Sequence, residues 1–135
     1  EDLELQEIFI DGTALDATQY QLSDEGLLLK DLPDGFALKT VVKIRPHLNT
    51  QLSGLYQSGS MFCTQCEALG FRRITYYLDR PDVMTTFVVR LSADKVAYPV
   101  LLSNGNLVNS GDLEGGRHFA EWHDPHPKPS YLFAL

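Results

Sequence analysis

The residues with the densest chemistry lie in one stretch, Met61-Phe62-Cys63-Thr64-Gln65-Cys66-Glu67-Ala68-Leu69-Gly70-Phe71-Arg72. Two chemistries can be read from it. Cys63 and Cys66 form a Cys-x-x-Cys pair, which is either a redox dithiol or half of a zinc site. A redox pair ordinarily opens a helix, and structural zinc needs two further Cys or His ligands; neither is evident here. In an extended chain the two thiols point to opposite faces, which favours their being two small half-buried hydrophobic side chains. The same odd-even rule puts Gln65 and Glu67 on one face. A carboxylate beside an amide oxygen suits an ammonium group, yet on residue type alone a solvated polar face explains the pair better, since most Glu and Gln side chains are simply exposed.

Other reactive residue types are less suggestive. His118, Glu121, His123 and His126 have a spacing that could hold a metal, but surface and core histidines are commoner, and these are read as structural. Asp79 and Asp82 flank Arg80-Pro81, where turn formation or helix capping is expected. Ser53, Ser58 and Ser60 have no Gly-x-Ser-x-Gly setting for a nucleophile. Tyr76, Tyr77, Trp122 and Phe133 are expected to pack, in the core or against another domain. No His-Glu-x-x-His is present among His47, His118, His123 and His126.

The elements that must position these residues read as strands. Leu3 to Ile10 starts with alternating apolar residues, ends β-branched, and meets the turn pair Asp11-Gly12. Gln19–Leu22 and Gly26–Leu29 suggest a small hairpin. From Phe36 to Arg45, Phe36, Leu38, Thr40, Val42 and Ile44 alternate with mostly polar residues, the pattern of a half-buried strand. Pro46 stops it, and Leu48 to Ser53 form a loop. Thr85 to Leu91 is dense in β-branched and aromatic residues. Tyr98–Leu102 and Leu107–Ser110 flank Asn104-Gly105, a strong hairpin signal, and a second hairpin is expected at Glu114-Gly115-Gly116. Asp124 to Pro129 holds three prolines and should be a stiff extended connection. No stretch carries helical periodicity over the length of an ordinary helix. The expectation is an all-β fold, a sandwich or saddle-like arrangement of antiparallel sheets built from short strands and hairpins, with at most short helical turns.

Bulk properties set limits. The 135 residues suit a single β-rich domain, residues 1–135, and 44% hydrophobic with 21% charged residues is an ordinary globular balance. A net charge of −7 with scattered Lys and Arg argues against nucleic acid as a partner. No apolar run is long enough to span a bilayer, and the start Glu1-Asp2-Leu3-Glu4 lacks the basic region of a signal peptide, so no membrane partner is expected. Two cysteines fit a reducing cytoplasm. The chain does not begin with Met, and it ends on the apolar, strand-like run Tyr131-Leu132-Phe133-Ala134-Leu135, so more sequence is expected on either side.

A family resemblance bears on the site. Gly54-Leu55-Tyr56-Gln57-Ser58-Gly59, Cys63-Thr64-Gln65-Cys66-Glu67-Ala68, Gly70-Phe71-Arg72 and Ile74 to Met84 resemble the N-terminal domain of zinc aminopeptidases of the bacterial aminopeptidase N type. So do Tyr98-Pro99, Leu101 to Asn106, Gly116-Arg117-His118, Asp124-Pro125 and Pro127 to Leu135, in order and spacing. The resemblance is strong over roughly the last two thirds of the chain and positional before that. Where the wider family has a Phe-Pro-Cys-x-Asp-Glu-Pro-like segment, this sequence has Tyr77-Leu78-Asp79-Arg80-Pro81-Asp82, similar to the bacterial branch.

The resemblance implies a fragment of a zinc-dependent exopeptidase acting on peptides with a free N-terminus. Gln65 and Glu67 match the positions that, in the family, help bind the substrate's α-amine. Zinc and its ligands would lie outside these residues, in a catalytic domain of the same chain, as would the family's Gly-x-Met-Glu-Asn loop, and the fragment alone would be inactive. The competing reading from the residues is a stand-alone β-sandwich module that binds peptide or carbohydrate.

Overall fold

The computed structural model describes residues 3–135; Glu1 and Asp2 of the acidic start lie outside the described residues. Among the described residues ten strands and four single 3-10 turns make up the elements, so the all-β expectation holds. In chain order the strands are β1 (Glu4–Ile10), β2 (Thr13–Ala14), β3 (Tyr20–Ser23), β4 (Gly26–Leu29), β5 (Leu38–Lys43), β6 (Gly54–Ser58), β7 (Met61–Gln65), β8 (Thr85–Asp94), β9 (Asn106–Leu113) and β10 (Arg117–Lys128). They form two three-stranded sheets, ordered β2-β1-β5 and β8-β10-β9, and two hairpins, β3-β4 and β6-β7; all the pairings are antiparallel. No helix among the described residues is long and apolar enough to cross a membrane.

The Asp11-Gly12 turn forms as its residue types require, with positive φ at both (49° and 81°), and the Asp11 carboxylate accepts a hydrogen bond from the Ala37 amide at 2.8 Å. β5 corrects the expected amphipathic strand. Phe36 and Leu38 are exposed, and the half-buried residues are the consecutive run Thr40-Val41-Val42. The cause is what covers the face: alternate residues of β8, Phe87 and Val89, pack on the buried aromatic core, whereas Phe36 and Leu38 have no such cover among the described residues. Strict alternation occurs instead in β8, where half-buried and exposed residues alternate over all ten positions from Thr85 to Asp94.

The Asn104-Gly105 signal also resolves differently. Tyr98–Leu102 forms no strand, and β9 pairs with β10 through the expected turn at Glu114–Gly116. Asn104 is used as a clamp: its Nδ2 donates to the Leu132 carbonyl at 3.1 Å and its Oδ1 accepts from the Ala134 amide at 2.6 Å, while Ser103 Oγ donates to the Ala134 carbonyl at 2.7 Å. Gly105 has φ +89° and lies against the backbone of His123 and Asp124, where a Cβ would stand 2.7 Å from Asp124 Cα. The glycine is there for close approach as well as for backbone conformation. The terminal run clamped in this way is a 3-10 turn, Ser130–Leu132, followed by extended chain; it pairs as a strand with nothing among the described residues.

Asp124 to Lys128 is extended, as its prolines suggest, but it belongs to β10 rather than to a connection. The register against β8 breaks between Asp124 and Lys128, where Pro125 and Pro127 have no N–H to give to a ladder. Asp124 is buried and ion-paired with Lys128. The Lys128 ammonium beside it holds the Asp124 carboxyl below the ordinary aspartate value. A depressed carboxyl contributes stability that is present above the unfolded-state pKa and is lost as pH falls through the folded value. Lys128→Met should therefore be less stable than the native chain near neutral pH, and the gap should close as pH falls below about 4. Urea unfolding across that range checks it; a gap independent of pH would mean that Lys128 acts only through packing.

The core is aromatic. Phe71 and Phe133 are buried with Cys66, and Ile74, Tyr77, Phe87, Val89 and Leu135 pack around them. Phe71 meets Phe133 edge-on at 4.9 Å and Tyr77 at 5.0 Å, and Phe87 completes the cluster at 5.5 Å from Phe133. Such tilted and T-shaped contacts suit the aromatic quadrupole. They fasten the segment after β7 to β8 and to the last residues of the chain.

Candidate functional site

β7 ends at Gln65, the next residue is buried, and Glu67 opens the turn that runs to Gly70. Gln65 and Glu67 are both exposed on either side of Cys66, which is only 3% exposed. Burying Cys66 in the aromatic core thus turns both its neighbours outward, as period-two alternation requires. Gln65 Nε2 donates to the Glu67 main-chain carbonyl at 3.4 Å, so the two residues are adjacent and the Gln65 amide oxygen remains an acceptor. The Gly70 amide closes the turn on the Cys66 carbonyl at 2.8 Å, and the Glu67–Ala68 peptide is cis.

Two glycines let this element lie where it does. Gly54, paired with Gln65 across the β6-β7 hairpin, has φ +76°, and a Cβ on it would stand 2.8 Å from Arg73 Cβ. Gly70 lies between the β6 and β7 backbones: an added Cβ would press on the Gln65 carbonyl and stand 2.9 Å from Gly54 N and 3.0 Å from Cys66 Cα. Only a residue without a side chain fits the backbone crossing beside Gln65 and Cys66.

Both cysteines are free. Burial pushes the Cys66 thiol up to about 11, and the nearby Asp79 carboxylate acts in the same direction, so Cys66 is a neutral thiol at physiological pH. Cys63 faces Tyr56 across the hairpin. Among the described residues no group of three or more His, Cys, Asp or Glu side chains is gathered as a metal site would need. The histidine cluster is spread along β10: His118 Nε2 lies 2.7 Å from the Tyr98 carbonyl, Glu121 pairs with Arg90 at 3.3 Å, and His123 is exposed. Trp122 Nε1 donates to the Leu101 carbonyl at 3.1 Å, a packing role.

Asp79 departs from the expected turn residue. It is 4% exposed, and its Oδ2 accepts the Arg72 amide at 3.0 Å and Arg72 Nε at 3.2 Å. Its Oδ1 accepts the hydroxyl of Ser130, also buried, and its main-chain carbonyl accepts Arg72 Nη2 at 2.9 Å. Asp82, by contrast, is exposed and pairs with Arg80. Nothing in the local sequence separates the two aspartates, because the partners of Asp79 include a hydroxyl fifty-one positions away.

Comparison with known proteins identifies the family. The model of the Peptidase M1 N-terminal domain matches residues 4–132. Aminopeptidase N of Caulobacter vibrioides is 58% identical over 135 residues, all of this chain and 16% of its own length. Aminopeptidase N of Escherichia coli is 53% identical over the same 135 residues, 15% of its own length. Among solved structures, Legionella pneumophila aminopeptidase A in complex with aspartic acid superposes with a TM-score of 0.94 at 36% identity, covering all of this chain and 16% of that one. The chain thus spans about a sixth of the length of the relatives it matches. With a family match over nearly every residue and identity above one half along the whole chain, the chain belongs to the Peptidase M1 N-terminal domain family.

Proposed function

We propose that residues 1–135 are a single β-rich domain of a larger zinc-dependent aminopeptidase, in which Gln65 and Glu67 hold the free α-amine of a peptide substrate. The observation that carries the enzyme assignment is the identity of 58% and 53%, along the whole of this chain, to two proteins named aminopeptidase N, each about six times its length. The site assignment is supported by Gln65 and Glu67 standing adjacent and exposed on a backbone crossing that admits no side chain at Gly70.

The chemistry follows from the amine. With an unperturbed pKa of about 7.7–8.0, a peptide α-amine is mostly ammonium at neutral pH. Glu67 supplies a charge-assisted hydrogen bond and Gln65 a neutral one, which together fix the N-terminal end of the peptide. Holding that end sets where the first carbonyl lies, so the contribution to rate is positioning. The same pair selects for exopeptidase action. An internal peptide bond presents no cation, and a carboxylate enclosed without a partner is unfavourable.

The residues of this chain do not fit a zinc site: no His-Glu-x-x-His occurs in the sequence, and no three metal-ligating side chains meet among the described residues. The metal, and the activation of water it supplies when bound, belong to the rest of the parent enzyme. The proposed partners are accordingly a peptide with a free N-terminus and the catalytic domain of the same chain. The two free cysteines support a reducing, cytoplasmic setting.

Blocking the amine tests the function. The full-length parent should release residues one at a time from the N-terminus of a peptide and leave the N-acetylated form of that peptide intact, and a chelator should abolish the activity. Equal cleavage of both forms, followed by mass spectrometry, would remove the amine requirement and with it the assigned role of this domain.

A further inference from the structure

The Gln65–Glu67 element is short, exposed and followed by a turn, a poor arrangement for holding a ligand group to within a fraction of an ångström unless something stiffens it. What stiffens it hangs on two buried residues, Asp79 and Ser130. The turn Glu67–Gly70 leads straight into the 3-10 turn Phe71–Arg73, and the backbone amide and guanidinium of Arg72 are both held by Asp79. Asp79 is in turn bonded to Ser130, whose own turn leads to Phe133, packed edge-on against Phe71. The same terminal segment returns to the other side of the site: the Leu135 amide donates to Thr64 Oγ1 at 3.0 Å, next to Gln65 on β7. The amine element is therefore gripped on both flanks by residues 130–135, with the Arg72–Asp79 ion pair inside the grip and the Asp79 charge close enough to Cys66 to influence its thiol.

A buried carboxylate is an unusual choice for fastening a loop, because it stabilises only while each of its acceptor positions is filled. Here Arg72 fills them from one side and Ser130 from the other. Apolar packing would tolerate small slides of the turn. Two charge-assisted bonds from Arg72, one of them from its backbone, do not.

We propose that Asp79 is a positioning residue for the α-amine site: through Arg72 and Ser130 it fixes the turn that carries Glu67, and so sets how well the enzyme distinguishes a free amine from its absence. This rests on the amine-anchor role proposed above for Glu67. Asp79 itself touches no substrate.

The test uses the full-length parent and two inhibitors, an amino-acid hydroxamate and its counterpart lacking the α-amine, whose ratio of inhibition constants measures amine recognition alone. Three variants are compared: Glu67→Gln, Asp79→Asn and Ser130→Ala. Glu67→Gln should collapse the ratio. Asp79→Asn should lower it by about tenfold or more, within the roughly 100-fold that an ångström of misplacement can remove. Ser130→Ala, which removes one bond and no charge, should act in the same direction with a smaller effect, and it carries the test if Asp79→Asn does not fold. In a Glu67→Gln background, Asp79→Asn should change the ratio no further, because the two act through one interaction. A ratio unchanged in folded Asp79→Asn and Ser130→Ala, with Glu67→Gln still collapsing it, would overturn the positioning role alone. A ratio unchanged in Glu67→Gln would overturn the amine anchor itself.

Discussion

Replacing Glu67 with alanine in the full-length enzyme should lower kcat/KM on an aminoacyl anilide by about 2–5 kcal/mol, or roughly 30-fold to 5,000-fold. The range is set by how completely the catalytic domain excludes water from the pair. In this chain the Glu67 side chain is exposed, and an exposed ion pair contributes little. A loss at the upper end therefore requires that residues outside this chain cover the site. Gln65→Ala should cost less, about 1 kcal/mol, because it removes a neutral hydrogen bond. If the amine contact mainly positions the first carbonyl, the Glu67 loss will appear in kcat as well as in KM, whereas uniform binding of ground and transition states would raise KM alone. Steady-state kinetics of the two variants separates these outcomes, and unchanged kcat/KM in Glu67→Ala would remove it from the site.

Gly70→Ala should destabilise the domain by about 3 kcal/mol or more, the upper part of the range for overpacking, because the atoms that a Cβ would meet are backbone. Those atoms are the Gln65 carbonyl, Gly54 N and Cys66 Cα, none of which can swing aside as a flexible side chain would. The displaced backbone is that of Gln65 and Cys66, inside the proposed amine element, and of Gly54 in the partner strand, so any folded fraction should also have weakened amine recognition. Gly35 is the control: a Cβ there meets nothing within 4 Å and its φ is unexceptional, so Gly35→Ala should stay within about 0.5 kcal/mol of the native chain. Urea unfolding of both variants measures the contrast. A Gly70→Ala domain as stable as Gly35→Ala would mean that the β6–turn crossing is looser than its contacts indicate.

Local signals were legible where neighbours in sequence are also neighbours in space. The Asp11-Gly12 turn, the β3-β4 hairpin, the turn at Glu114–Gly116 and the dense β-branched run of β8 are all decided within a few residues, and all form. β5 carries an alternating pattern too, but Phe36 and Leu38 are exposed where alternate residues of β8 pack on the aromatic core, and what covers a strand's face is not written in its own periodicity. Asn104-Gly105 has hairpin chemistry, yet its amide is taken by Leu132 and Ala134, almost thirty residues away. Long-range partners of this kind override a turn signal without leaving a local trace.

The site shows the same division. Alternation places Gln65 and Glu67 on one face of the chain, opposite the Cys66 side chain, and both are exposed, but alternation alone does not distinguish an amine anchor from a wetted strand face. That distinction came from family resemblance. Asp79, Arg72 and Ser130 were missed as a unit because their association depends on the tertiary path of residues 130–135. The glycines offered a signal that could have been used: Gly54 and Gly70 bracket the Gln-x-Glu element in sequence, and paired glycines around a candidate site suggest a close backbone crossing.

The most direct measurement is a crystal structure of the full-length enzyme with an amino acid bound. The ligand's α-nitrogen should lie about 2.7–3.0 Å from a Glu67 carboxylate oxygen and within hydrogen-bonding distance of the Gln65 amide oxygen, with the Arg72–Asp79–Ser130 contacts intact behind them. An α-nitrogen held entirely by groups outside this domain, with Glu67 left in solvent, would contradict it.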